Sequence, residues 1–109
     1  MKRYREPIPF IPLRISIESE ANRMQVIVRK PTAAEKEQML SRPTWECPVS
    51  KFDWCYDQQE TCLLVAGQVT VSYDGGCVSF GPGDYVTFPQ GLSCVWDVSK
   101  PVKKHYVFG

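Results

Sequence analysis

The sequence lacks any long apolar run. None of its apolar stretches approaches the ~20 consecutive residues of a membrane-spanning helix. Near the start, Pro7, Pro9 and Pro12 interrupt the chain, and no continuous apolar stretch typical of a secretory signal follows Lys2 and Arg3. We therefore expect a cytoplasmic protein that has no membrane partner.

The sequence also lacks an excess of either positive or negative charge. Thirteen Lys and Arg residues stand against 12 Asp and Glu residues, which gives a formal charge of +1. A nucleic-acid surface needs a basic stripe, so we expect no nucleic-acid partner. One short basic cluster, formed by Lys100, Lys103 and Lys104, is predicted to be solvated surface.

Histidine is scarce and cysteine is unpaired. His105 is the single histidine, and we interpret it as structural rather than catalytic. The cysteines are odd in number and form no C-x-x-C pair, so free thiols in a reducing compartment are predicted; they are Cys47, Cys55, Cys62, Cys77 and Cys94. Phosphate loops, Ser-His-Asp sets and nucleotide fingerprints are absent as well.

The 109 residues predict one all-β domain with a single short helix. Residues 1–30 would form an N-terminal arm with edge strands at 14–18 and 24–28. Residues 31–44 would form the helix and a linker, because Thr32 and Glu35 make a capping box and Pro43 ends the helix. Residues 45–109 would form a barrel of short strands separated by turns, with strands at 60–65, 68–73, 77–80, 84–88, 93–98 and 103–108.

Two segments resemble the paired motifs of the cupin superfamily. In the first, Glu60 and Gly67 stand at the glutamate and glycine positions, whereas Trp54 and Tyr56 stand where two histidines are usual. In the second, Gly83, Pro89 and Gly91 match the turn framework, and Cys94 stands at the third histidine position. The segments 50–54, 60–62, 83–94 and 104–106 are similar to small single-domain cupins of the (S)-ureidoglycine aminohydrolase-like group.

The resemblance implies a cupin double-stranded β-helix, a jelly-roll barrel that commonly holds a metal ion and commonly pairs into homodimers. We expect a homodimer here also because the outward face with Thr61, Leu63 and Val65 is apolar and needs cover from an opposite sheet or a second subunit. Three of the four usual metal ligands are replaced. Glu60, Cys94 and Tyr56 would favour zinc or copper if any ion, but without histidines we predict no metal site and no other cofactor.

Alternation of side chains places one set toward the barrel interior. Phe52, Trp54 and Tyr56 share a face, and so do Glu60 with Cys62 and Cys94 with Trp96, the family match placing Glu60 and Cys94 inside. No cationic residue is inferred on that face. The predicted ligand-binding residues are therefore Trp54, Tyr56, Glu60, Cys62, Cys94 and Trp96.

Each of these residues has a structural interpretation beside the functional one. The aromatic residues would either fill a small barrel or form a pocket wall. Glu60 would either be held by the Tyr56 hydroxyl and an indole N–H, or serve with Tyr56 as an acid/base pair or ligand contact. Cys62 and Cys94 are more often small buried hydrophobes than nucleophiles.

Three functions remain open. The first is a metal-independent pocket for a small organic molecule, in which aromatic walls stack a planar ligand or hold a cation. The second is a metal-dependent cupin enzyme, aminohydrolase-like or isomerase-like. The third is a structural or interaction domain whose cavity is filled by its own side chains.

Overall fold

The computed structural model describes residues 24–109. Its elements are β1 (Ile27–Arg29), α1 (Ala33–Leu40), β2 (Thr44–Cys47), β3 (Ser50–Cys55), β4 (Glu60–Tyr73), β5 (Gly76–Phe80), β6 (Tyr85–Phe88) and β7 (Ser93–Phe108). The protein is an all-β jelly roll with one short helix, as the sequence predicted. Among these residues no helix is long and apolar enough to cross a membrane. The predicted strand at 14–18 lies outside the described residues.

All strands pair antiparallel around two long central strands, β4 and β7. β4 pairs with β7, and along its length it also pairs with β6 and then β5; β7 likewise pairs with β3 and then β2. The sequence had predicted two short strands in place of each long one. That prediction was wrong because the ladder continues through an irregular stretch at Leu64–Val69 rather than ending there.

Gly67 makes this irregular stretch sterically feasible. Its φ is +105°, a conformation that residues with a side chain rarely adopt. A Cβ at this position would lie 2.5 Å from the backbone oxygen of Pro101 and 2.7 Å from the Cα of Val102. β4 therefore bends and passes close to β7 at a point where only glycine fits.

The helix α1 begins as the sequence predicted. Thr32 Oγ1 accepts from the Glu35 backbone N–H at 3.1 Å, and the Thr32 N–H donates to Glu35 Oε1 at 2.9 Å. Arg29 at the end of β1 makes a two-pronged ion pair with the same carboxylate, at 2.8 and 2.7 Å. Because this exposed hydrogen-bonded pair favours the charged form, it lowers the pKa of Glu35 to about 2.

The outward apolar face of β4 is partly covered from within the chain. α1 packs against β4 and β7 and buries Met39, and Leu63 is 2% exposed. Val65 on the same face is 38% exposed, so α1 covers only part of this face and the expectation of further cover stays a prediction. The homodimer itself stays a prediction.

The inward faces of the strands form one hydrophobic core. β1 adds an edge strand beside β6, as predicted for this part of the chain, although its bounds shift to Ile27–Arg29. β4, β5, β6 and β7 supply buried core residues, and partly buried side chains of β2 and β3 pack against them. At one end the packing opens between β2, β3 and the last third of β7. That opening is the candidate functional site.

Candidate functional site

β3 and β7 bring the predicted aromatic residues together. Phe52 lies opposite Trp96 and Trp54 lies opposite Cys94 in the antiparallel register. The aromatic residues on this side of the barrel differ in exposure. Trp54 on β3 is 49% exposed, whereas Tyr56, just after the strand, is 2% exposed. Trp54 therefore lies at the rim and Tyr56 lies deep in the interior.

These residues line a cavity of about 210 Å³. Four of the predicted residues are at its wall, namely Trp54, Tyr56, Glu60 and Trp96. Five more line it that were not predicted as ligand contacts, and these are Trp45, Phe52, Lys104, Tyr106 and Phe108. Seven of the nine lining side chains are aromatic, and the other two carry opposite charges.

The aromatic rings hold one another in place. Tyr56 stacks on Phe88 with centroids 4.8 Å apart, and Phe52 stacks on Trp96 at 6.0 Å. Trp45 meets Trp96 edge-to-face at 6.0 Å. Such pairs add about 0.5–1.5 kcal/mol each beyond their area burial. The wall is therefore built of side chains with fixed orientations.

Lys104 is a buried cation in this cavity. Its ammonium donates to Glu60 Oε2 at 2.5 Å, and both side chains are more than nine-tenths buried. The same ammonium lies over the rings of Trp45 and Trp96, 4.9 and 4.8 Å from their centroids. The prediction of a solvated lysine, and of no cation on this face, was therefore wrong. Buried positions of β7 alternate at Trp96 and Val98 and, after an exposed stretch at 99–101, again at Val102 and Lys104.

Tyr56 and Glu60 are not bonded as expected. The indole N–H of Trp96 donates to the Tyr56 hydroxyl at 3.2 Å, and Lys104 rather than Tyr56 is the hydrogen-bond donor to Glu60. Burial, and secondarily the nearby Glu60 charge, raises the pKa of Tyr56 far above its usual range. Tyr56 therefore acts only as a neutral phenol, which donates or accepts hydrogen bonds but supplies no phenolate base.

The two predicted pocket cysteines lie away from the cavity wall. Both belong to the buried core, Cys62 at 0% and Cys94 at 6% exposure, and Cys94 also borders a separate open groove that Trp54 lines. Neither is among the residues that line the ligand cavity, so the structure does not place them where the sequence analysis did. Burial raises the pKa of Cys62 to about 12 and that of Cys94 to about 11. Neither thiol is a nucleophile near neutral pH.

The residues at the usual cupin metal positions do not fit a metal ion. Trp54 offers no ligand atom, Tyr56 is a neutral phenol bonded to Trp96, and Glu60 is paired with an ammonium. His105 is engaged elsewhere, because its Nδ1 lies 2.8 Å from the backbone oxygen of Arg42. Among residues 24–109 no three His, Cys, Asp or Glu side chains cluster as a metal site would require.

A family comparison agrees with this architecture. The family model described as the EutQ-like cupin domain matches residues 34–106. The protein belongs to the EutQ-like cupin family. No curated protein sequence matches the chain.

Solved structures of the same type are similar to this cupin. A DUF861 family protein from Thermotoga maritima is 42% identical, with a TM-score of 0.74, over 78% of this chain and 100% of its own. The EutQ protein of Clostridium difficile is 22% identical, with a TM-score of 0.56, over 76% of this chain and 66% of its own. A putative ethanolamine utilization protein Q from Salmonella typhimurium is 20% identical, with a TM-score of 0.56, over 83% and 73%. The last two likenesses show the fold alone.

The missed lining residues carried only a weak sequence signal. Lys104, Tyr106 and Phe108 alternate along the same strand, so a continuous β7 through Pro101 would have placed all three inward. Trp45 alternates in β2 with the exposed Glu46. Alternation shows which residues share a face, but it does not show which face is inward, because the strands that determine this are distant in sequence.

Proposed function

We propose that this cupin binds a small, planar organic molecule in its aromatic cavity without a metal ion. The observation that carries the proposal is a cavity with seven aromatic walls and a single buried ion pair, Lys104–Glu60. Small-molecule sites typically combine apolar walls with a few placed polar groups.

The cavity size limits the ligand. At about 210 Å³ it is smaller than the ~300–1,000 Å³ typical of sites for drug-sized molecules. A single ring with few substituents fits this volume. Flat aromatic walls favour a flat ligand, because stacking buries both faces of the ring.

An enzymatic role would use the same groups. Glu60 is the candidate acid/base residue, and Tyr56 would contribute as a neutral hydrogen-bond donor. Grouping with (S)-ureidoglycine aminohydrolase-like cupins would suggest hydrolysis at a C–N bond, but the usual metal ligands of that chemistry are replaced here. We therefore keep the binding role as the proposal. The cytoplasmic location is likewise proposed, on the free thiols and the sequence composition.

The first experiment identifies what travels with the protein. The chain is purified gently without a metal-affinity tag and measured by native mass spectrometry and by elemental analysis. The proposal expects an organic adduct that is released on denaturation and less than stoichiometric metal. Stoichiometric metal whose removal abolishes ligand binding would overturn the metal-independent role.

The second experiment uses the native fluorescence. All three tryptophans of the chain line the cavity, so ring fluorescence reports on this site. Any adduct found, or any planar fragment that binds, should change that fluorescence in the parent and in the control Glu46→Gln, whose side chain is exposed on β2. A molecule that binds without affecting the fluorescence would place the binding elsewhere.

A further inference from the structure

Two buried polar groups of the cavity have unused hydrogen-bonding capacity. The Lys104 ammonium has three N–H donors, of which one binds Glu60 Oε2, and no other acceptor oxygen lies within reach among residues 24–109. The second carboxylate oxygen, Glu60 Oε1, accepts no hydrogen bond within the same part of the chain. Buried polar groups are normally paired, so the cavity presents a donor and an acceptor side by side.

We propose that Lys104 and Glu60 together bind a neutral planar ring through an edge that carries an N–H beside a C=O, as in a lactam or cyclic imide. The ring N–H donates to Glu60 Oε1, and the neighbouring carbonyl accepts from Lys104. Because Lys104 and Glu60 contact each other, the remaining Lys104 N–H groups and Glu60 Oε1 can bind neighbouring atoms of one ligand. This inference rests on the proposed binding function and specifies its ligand class.

The charges of the site exclude the other simple ligand classes. An aromatic cage attracts cations, but the faces of Trp45 and Trp96 already hold the Lys104 ammonium. A ligand cation would therefore meet that ammonium at close range. An anion would meet the Glu60 carboxylate, and an apolar ring would leave both polar groups unpaired and desolvated. A neutral ring with both hydrogen-bonding functions satisfies each group.

The probes are chosen so that this inference and the binding function fail separately. Uracil carries the N–H and C=O edge, 1,3-dimethyluracil keeps the ring and carbonyls but has no N–H, and toluene has neither. Benzylammonium and benzoate supply the two charges. Binding is measured by tryptophan fluorescence and by ligand-observed NMR on the whole protein.

We expect uracil to bind at least tenfold more tightly than 1,3-dimethyluracil, a ratio of about 1.4 kcal/mol, and more tightly than either charged ring. Equal binding of uracil, dimethyluracil and toluene would overturn the polar-edge inference while leaving the aromatic pocket intact. Tightest binding of benzylammonium or benzoate would overturn the neutral class. Failure of all five probes to bind would contradict the binding function itself.

A variant connects the preference to Glu60. In Glu60→Gln the amide oxygen can accept from Lys104, and the amide nitrogen then replaces the free acceptor with a donor. We expect the preference for uracil over dimethyluracil to disappear, whereas Glu46→Gln keeps it. Retention of the tenfold preference in folded Glu60→Gln would overturn the inference. Lys104→Met is the complementary variant, compared with Lys103→Met on the exposed face; if it unfolds, Glu60→Gln alone decides.

Discussion

The buried Lys104–Glu60 pair gives the sharpest stability prediction. Lys104→Met removes the ammonium and leaves the Glu60 carboxylate buried without a counter-charge. Breaking one half of a buried pair costs about 3–5 kcal/mol. Glu60→Gln leaves a neutral oxygen to accept from Lys104, whose charge keeps its contacts with two tryptophan rings, so we expect a smaller loss of about 2 kcal/mol.

The double variant tests whether the two charges are coupled. Lys104→Met with Glu60→Gln removes both charges together, so no uncompensated ion is left in the interior. We expect its loss of unfolding free energy to be at least ~1 kcal/mol smaller than the sum of the two single losses. Urea unfolding followed by far-UV circular dichroism measures each loss. Typical domain stabilities of about 5–15 kcal/mol keep the single variants measurable.

An exposed pair that also involves β7 serves as the control. Glu46 and Lys103 lie opposite each other in the β2–β7 register, and both side chains are exposed. Lys103→Met and Glu46→Gln should each change stability by about 0.5 kcal/mol or less and should combine additively. If the losses of unfolding free energy at Lys104 and Glu60 are also additive, the two residues are not a coupled buried pair and the described site is wrong.

Three further outcomes follow from other parts of the structure. Cys62 and Cys94 should react with iodoacetamide at pH 8 only after denaturation, because burial raises the pKa of each thiol to about 12 and 11; labelling of either in the native state, read by peptide mass spectrometry, would contradict that burial. Gly67→Ala should cost about 2 kcal/mol or more because of its positive φ and the close backbone of β7, whereas Gly109→Ala, which has a similar φ of +109° but meets no atom within 4 Å, should lower the melting temperature less. The pKa of Glu35 is lowered from 4.5 to about 2, so its ion pair with Arg29 should stabilise the protein above about pH 4.5 and lose that effect as the pH falls toward 2. Glu35→Gln should flatten this part of the curve of stability against pH, and an unchanged curve would argue against the pairing.

Local chemistry was sufficient to predict much of the fold. The capping box at Thr32 fixed the start of the helix, because its hydrogen bonds involve residues three apart. Alternation placed Trp54 and Tyr56 on the inner face because the opposite face carries aspartates that would be costly to bury, and the family match oriented Glu60. The continuity of β4 and β7 was not predictable in this way, because a bulge at Gly67 and a proline at 101 look like strand ends in a local window.

The polar part of the site depended on long-range contacts. Glu60 and Lys104 are 44 residues apart, and only the pairing of β4 with β7 brings them together. A lysine within a basic cluster is almost always at the surface, so its burial follows from tertiary structure rather than from its neighbours in sequence. The same contact explains why Tyr56 bonds to Trp96 instead of Glu60. The composition of the cavity was therefore partly predictable, whereas its hydrogen bonding was not.

The indole N–H signals of the three tryptophans provide the most direct test of the central claim. Trp45, Trp54 and Trp96 all line the cavity, and no other tryptophan occurs in the chain. In a 15N NMR titration with uracil and other neutral single-ring fragments, the account predicts that a binding fragment shifts these signals saturably, and that the Trp96 signal, whose N–H donates to Tyr56, persists in the complex. Fragments that bind while all three indole signals stay unchanged, or a full set of neutral rings that does not bind, would contradict it.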